Sequence, residues 1–360
     1  MNRTAFCRIA ARLLRQPAAP GFERAVREEV QQICAEHGLE CRRDPFGNVL
    51  VRLRTRSGLR PLALAAHLDH PGFEMMRPLS GKRWLARFCG GVPDNYFVRG
   101  TALRLMPGAV PARLGRRRGK RDRVFEIESS GKASEAQFAV WELTDFVLRQ
   151  QRIYGRACDD LIGAAAVLAT LIELKTTAAS VHVIGVFSRA EEIGFQGALA
   201  LAAAGGLDRD ALVISLETSR ELLAARMGRG VILRVGDKAS IFDTKASRFL
   251  AEVAADMTQA KPGFRFQRAL MSGGTCEATA YQEYGYQSAA LCVALGNYHN
   301  CGAGNQIKPE YVSVADSLGM VALLTAAAKR MPDYDRLVQR LPTRLTKLLR
   351  TARKALPISA

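Results

Sequence analysis

Two histidines and five carboxylates, each placed just after an apolar run, carry the chemistry of this chain. His67 and Asp69 lie in AAHLD, Asp159 in GRACDDLIG, Glu191 and Glu192 in SRAEEIG, Glu217 in VISLETS and His299 in GNYHN. Imidazoles mixed with carboxylates make an N/O ligand set that suits zinc, cobalt or manganese. Glu191, left over beside the ligands, has the chemistry of a general base acting on an activated water. Singly, each residue has a plainer reading. A histidine after an apolar strand is commonly a core residue, Glu191–Glu192 an ordinary solvated pair, and Asp159–Asp160 a helix N-cap. Together they point elsewhere, because all fall at strand-to-loop transitions, where open α/β sheets place their ligands.

The elements that must position them follow from hydrophobic period. Residues 5–16 and 22–37 alternate apolar and charged positions at helical spacing and are split by Pro17, Pro20 and Gly21. GNVLVRL (47–53) and PLALAAH (61–67) read as strands, the second delivering His67. After Asp159, DLIGAAAVLATLIELKTT reads as a buried Ala-rich helix, SVHVIGVFS (180–188) as the strand before Glu191 and Glu192, and ALVISLE (211–217) as the strand that carries Glu217. GVILRVG, SAALCVAL and helices at 244–258 and 312–330 continue the alternation, which predicts an α/β fold.

Between Gly72 and Tyr154 the pattern changes to short β-rich runs, RWLARF, ALRLM and VFEIE, broken by glycine and proline. A small β-barrel-like domain inserted in the α/β domain is expected there. The division is therefore 1–71 and 157–332 for the α/β domain, 72–156 for the insert, and 333–360 for a cationic, amphipathic helical tail expected to dock or fray. An insert of this kind suits contact with neighbouring copies, so at least a dimer is expected, with RLGRRRGKRDR (113–123) as a solvated loop.

Composition narrows the class. The 360 residues are 48% hydrophobic, enough for one large core and a second domain. Arginines interrupt the N-terminal apolar stretch and no run is long enough to span a bilayer, so neither a secretory signal nor a membrane span is expected. Eight scattered cysteines without a C-x-x-C pair fit reduced thiols in a cytoplasm. A net charge of +18 favours acidic partners, yet no aromatic-interleaved basic pattern supports specific nucleic-acid recognition.

In this order the motifs resemble the glutamyl and deblocking aminopeptidases, the shell-forming (tetrahedral) family of co-catalytic metallopeptidases. Pro20-Gly21-Phe22-Glu23 is similar to the family's P-x-G-x-E stretch and Asp44-Pro45-Phe46-Gly47-Asn48 to its D-x-x-G-N turn. Gly90-Gly91 matches the start of its insert and Gly273-Gly274-Thr275 its late G-G-T loop. The resemblance implies a zinc-exopeptidase-like mixed sheet sandwiched by helices. It also implies hydrolysis of N-terminal residues from peptides by a water bridged between two divalent metals, zinc first, with cobalt or manganese as alternatives.

Residue by residue, it makes Asp159 the bridging ligand, with His67 and Glu217 completing one metal and Glu192 and His299 the other. Asp69 orients the His67 ring, Glu191 is the base, and the bond after Asp159 is cis. An amidase or deacylase on the same scaffold and a non-catalytic peptide-binding relative are the competing readings. Three positions depart from the family pattern: Glu217 for Asp, Cys276 for Asp and Leu161 for Arg. The family also assembles into closed homo-oligomers that admit small peptides.

Overall fold

The computed structural model describes residues 1–79, 81–119 and 122–356. Its frame is an eleven-stranded sheet whose main path runs Glu40–Arg43, Val49–Arg54, His182–Ser188, Leu62–His67, Leu212–Arg220, Gln287–Gly296, Glu310–Ser313, Arg152–Gly155, Val147–Arg149. Val231–Gly236 pairs with Gln287–Gly296, and Phe266–Leu270 extends that branch. The four central strands, His182–Ser188, Leu62–His67, Leu212–Arg220 and Gln287–Gly296, are mutually parallel. Antiparallel pairs flank them, which makes the sheet mixed.

Burial on both faces explains the continuous apolar runs of the central strands. Leu62, Leu64 and Ala66 pack into the larger cluster, while Ala63 and Ala65 face the smaller one. The larger side is covered by helices Arg3–Leu14, Arg24–Glu36, Cys158–Thr176, Thr244–Ala260 and Val314–Arg330, and the other by Gln196–Ala203 and Glu277–Glu283. Arg24–Glu36 buries Val26, Val30, Ile33 and Cys34, one stripe at three- and four-residue spacing. Cys158–Thr176 is apolar nearly all round because it lies between the sheet and the outer helices, with sixteen of its nineteen residues buried.

The β-rich insert closes into a six-stranded barrel in the order Gly72–Pro78, Arg83–Cys89, Val124–Ser129, Val110–Arg117, Ala102–Met106, Phe138–Trp141. It ends earlier than residue 156, because Val147–Arg149 and Arg152–Gly155 pair with each other and with Glu310–Ser313 in the large sheet. Gly90 and Gly91 follow the barrel's second strand rather than opening the insert. Of the basic stretch 113–123, residues up to Arg117 form a barrel strand instead of a loop, and Lys120 and Arg121 lie outside the described residues. Arg117 pairs with Asp94 at 2.8 Å and Arg118 with Glu126. The tail forms helices Tyr334–Val338 and Arg340–Ala355, and residues 357–360 lie outside the described residues.

The barrel has its own core, centred on Phe73, whose ring meets Phe88 at 4.9 Å, Trp141 at 5.1 Å and Phe125 at 6.0 Å between centroids. Phe73 is fully buried. Phe73→Ala is therefore expected to destabilise the protein by about 3–5 kcal/mol, the range for truncating a buried aromatic. Denaturant unfolding checks this, and a midpoint equal to that of the parent protein would contradict the packing.

Candidate metal centre

The carboxyl ends of the parallel strands converge on one point. His67 ends its strand, Glu217 lies in Leu212–Arg220, and Glu191–Glu192 and His299 follow His182–Ser188 and Gln287–Gly296. Asp159 enters from the opposite direction, at the start of helix Cys158–Thr176. One of its oxygens, Oδ1, is 3.7 Å from His67 Nε2, and the other, Oδ2, is 3.5 Å from His299 Nε2. Glu217 Oε2 stands 3.9 Å from His67 Nε2, and Glu192 Oε1 3.1 Å from His299 Nε2. Three overlapping triads result: His67–Asp159–Glu217, Asp159–Glu192–His299 and His67–Glu191–Glu192, each with donor atoms within 4.8 Å of one another. The structure thus brings together six of the seven expected residues as donors and places Asp69 behind them.

The donors fit divalent cations. Glu217 Oε1 is buried and lacks a hydrogen-bond partner among the described residues. Unpaired carboxylate oxygens withdrawn from water are unfavourable unless a cation meets them. The electrostatics agree. Burial alone would lower the pKa of His67, but Glu191, Asp159, Asp69 and Glu217 raise it well above the usual value, and Glu192 and Asp159 do the same for His299. Burial opposes ionisation of Asp159, yet the two imidazoles that face it hold its pKa low. Glu217 is pushed up to about 8 by burial and Asp159, against the pull of His67 and Arg234. Glu191 is raised by loss of solvent and by Glu217, Glu192 and Asp69. Excess negative charge is crowded into the site.

Each donor is fixed from behind. His67 Nδ1 lies 3.1 Å from the backbone oxygen of Asp69, while the Asp69 carboxylate is 3.6 Å away. That carboxylate instead accepts from the backbone N–H groups of Glu191 and Glu192 at 2.9 and 3.0 Å, so it shapes the turn that carries them as much as the His67 ring. The two weak glycine motifs support the same turn. Glu23 accepts from Ala190 N and Arg189 Nε, and Asn48 Oδ1 accepts from Arg189 N. His299 Nδ1 donates to the Gly91 carbonyl oxygen at 2.8 Å, a contact supplied by the barrel. A Cβ on Gly91 would stand 3.3 Å from the His299 ring, so the close approach favours glycine. The Asp159–Asp160 bond is cis, as expected.

Several buried polar residues that serve the site carry no sequence signal of their own. Glu310 accepts from Asp159 N through Oε2 at 3.0 Å and from His299 N through Oε1 at 2.8 Å, tying together two donors distant in sequence. His70 Nδ1 donates to the Asp159 carbonyl oxygen at 2.8 Å, and its Nε2 lies 3.0 Å from Asn300 Oδ1. Thr218 donates to Asp159 Oδ1 at 3.0 Å. Spacing from an already placed ligand is the only available clue: His70 is three residues past His67 and Thr218 follows Glu217.

Residues 128–303 match the M42 glutamyl aminopeptidase family. Over that stretch, just under half of its length, the chain is similar to this family. The likeness supports an exopeptidase, and the acidic and imidazole cluster fits metal dependence. Solved structures share the fold at low identity. The TET aminopeptidase of a marine sediment Thaumarchaeota archaeon matches with a TM-score of 0.77 and 19% identity, over 92% of this chain and 99% of that one. An aminopeptidase of Desulfurococcus kamchatkensis gives 0.75 and 19%, over 92% and 97%. The Pyrococcus horikoshii TET1 peptidase, described as assembling into a tetrahedron or a large octahedral shell, gives 0.74 and 20%, over 90% and 99%.

The three departures from the expected M42 pattern are all accommodated. Glu217 reaches the site from its strand, Leu161 is fully buried in the core, and Cys276 is buried with its N–H donating to Asp237 Oδ2 at 3.0 Å. The turn that carries His299 has positive φ at Asn297, His299 and Asn300, so it needs holding, and Glu310 does so. Glu310→Ala leaves two buried N–H groups without acceptors. It is expected to weaken zinc binding by about 10–100-fold, as losses behind a ligand commonly do, with Glu310→Gln falling between. Chelator competition measures this, and an alanine variant within twofold of the parent protein would remove Glu310 from the support.

Proposed function

We propose that this chain is a metallo-aminopeptidase that removes N-terminal residues from peptides using two divalent ions and Glu191 as general base. The single observation that carries the reading is Asp159, whose two oxygens face two different imidazoles at 3.7 and 3.5 Å. His67, Glu217 and Asp159 would hold one ion, and Glu192, His299 and Asp159 the other. Zinc suits this mixture of imidazole and carboxylate, with cobalt or manganese as alternatives. When bound, such ions polarise the scissile carbonyl and make water a stronger nucleophile at neutral pH.

The protein's own groups do the rest. Asp69 fixes the Glu191 backbone at 2.9 Å, which points the adjoining carboxylate at the triads. Glu191 takes a proton from the attacking water and delivers it to the leaving amine nitrogen. A cavity of about 130 Å³ beside Glu217, lined by Arg220, Arg234, Met271, Gly274 and Tyr298 among others, is placed to take the substrate's first side chain. Its two guanidinium groups favour a carboxylate there.

We place the active form in a homo-oligomer, since the Pyrococcus horikoshii relative is described as forming shells and the inserted barrel is set apart from the main core. A cytoplasmic setting is supported by the eight cysteines, all of which are free. Among the described residues, no helix is long and apolar enough to cross a membrane.

Two measurements test the reading. Reconstituted protein should contain two zinc ions per chain, and Glu191→Gln should keep both while kcat on aminoacyl p-nitroanilides falls by about two to four orders of magnitude. A variant within tenfold of the parent would move the base elsewhere. Turnover of acyl-blocked but not free-amine substrates would replace the aminopeptidase reading with an amidase.

A further inference from the structure

The helix Arg340–Ala355 stands away from the molecule instead of docking. Its base is held, because Arg340 reaches Asp256 at 2.6 and 3.0 Å and Glu252 at 3.2 Å. Beyond that anchor every residue from Thr343 to Thr351 is exposed. Leu341, Leu345, Leu348 and Leu349 recur at three- and four-residue spacing, which aligns them on one face, and Leu356 continues the line. Leu345, Leu348, Leu349 and Leu356 are 54, 59, 51 and 73% exposed, a contiguous apolar stripe in water. Arg344, Lys347, Arg350 and Arg353 occupy the remaining faces, and residues 336–356 contain seven Lys or Arg and no Asp or Glu.

Three kinds of occupant could cover the stripe, and charge separates them. A second copy would bring two strongly cationic helices together in a protein that already carries +18. Nucleic acid would satisfy the guanidinium groups but leave the leucines in water. An anionic lipid surface satisfies both, with leucines entering the acyl boundary and basic side chains meeting headgroups. Sixteen residues span about 24 Å, too short to cross a bilayer as a helix but suited to lying in its interface.

We propose that the helix Arg340–Ala355 is an in-plane anchor that docks this protein on anionic membrane surfaces. Attachment is reversible, since one short amphipathic helix buries limited area, and it weakens with salt. The catalytic centre is separate from the anchor, so attachment places the enzyme without altering its chemistry.

Co-sedimentation of the full chain with vesicles of phosphatidylcholine containing about one third phosphatidylglycerol, against pure phosphatidylcholine, tests this. Binding is expected to the anionic vesicles and at least tenfold less to the neutral ones, falling further as salt is raised. The double variant Leu345→Glu, Leu349→Glu should bind at least tenfold more weakly while hydrolysing p-nitroanilides as before. Arg344→Gln, Lys347→Gln, Arg350→Gln should lose about 100-fold, since each basic residue near such a surface contributes roughly fivefold. Because these positions are exposed, the variants should fold normally, which circular dichroism verifies. The proposal is overturned by equal binding to both vesicle types, by no binding to either, or by a leucine variant that binds normally. A fall in oligomer size of the leucine variant by light scattering, without loss of vesicle binding, would assign the stripe to a second copy instead.

Discussion

The crowding of carboxylates around Asp159 sets the terms for the rest of the molecule. Asp159, Glu191, Glu192 and Glu217 meet two imidazoles where little water reaches, and Asp160 and Glu310 are buried close behind. Charge in such a place must be neutralised by protons or cations. The imidazoles keep Asp159 ionised, while loss of solvent pushes Glu191, Glu217, Asp160 and Glu310 toward their protonated forms. Left alone, the cluster would favour its own dispersal. It persists because each donor sits on a rigid element: four at or just after parallel strand ends, one within a strand and one at the head of the buried helix.

That dependence explains which parts were legible in the sequence. The central strands announce themselves as unbroken apolar runs because both faces are covered, and their polar ends then stand out as candidate ligands. His67, Glu191, Glu192, Glu217 and His299 were readable for this reason, and Asp159 as the polar head of a long apolar helix. Glu23 and Asn48 were visible only as members of weak glycine motifs, and their part in holding Arg189 and Ala190 beneath Glu191 needed the fold. Glu310 and Asn300 were not legible, since a buried polar residue that serves distant backbone groups leaves no periodic trace. The insert's far boundary was misplaced for a related reason. Val147–Arg149 and Arg152–Gly155 are too short for a period to tell a barrel strand from a sheet edge.

The barrel is tied to the metal-centre residues as well as to its own core. Its loop at Gly91 supplies the acceptor for His299 Nδ1, and Tyr96 donates to the Gly302 carbonyl oxygen at 2.9 Å. Both contacts fall on the segment that carries His299. Movement of the barrel relative to the sheet would therefore turn the imidazole, and any assembly that clamps the barrel also clamps a ligand. Shape at the proposed oligomer contact and geometry at the metal centre are joined through one carbonyl oxygen.

The charge distribution adds a last step. A chain of net charge +18 surrounds a centre built from carboxylates. On the proposed activity two bound ions would offset the four carboxylates, so the long-range field is that of the basic exterior. It holds a peptide's distal carboxylate, while a carboxylate on the first residue meets Arg220 and Arg234 at the cavity. Peptides would thus approach with the amine leading. The field separates ends rather than residues, so it orients short peptides most strongly, because in a long chain the far carboxylate lies beyond a Debye length of about 8 Å at physiological salt. Selection of the first residue is left to the cavity, where contact geometry rather than long-range field decides.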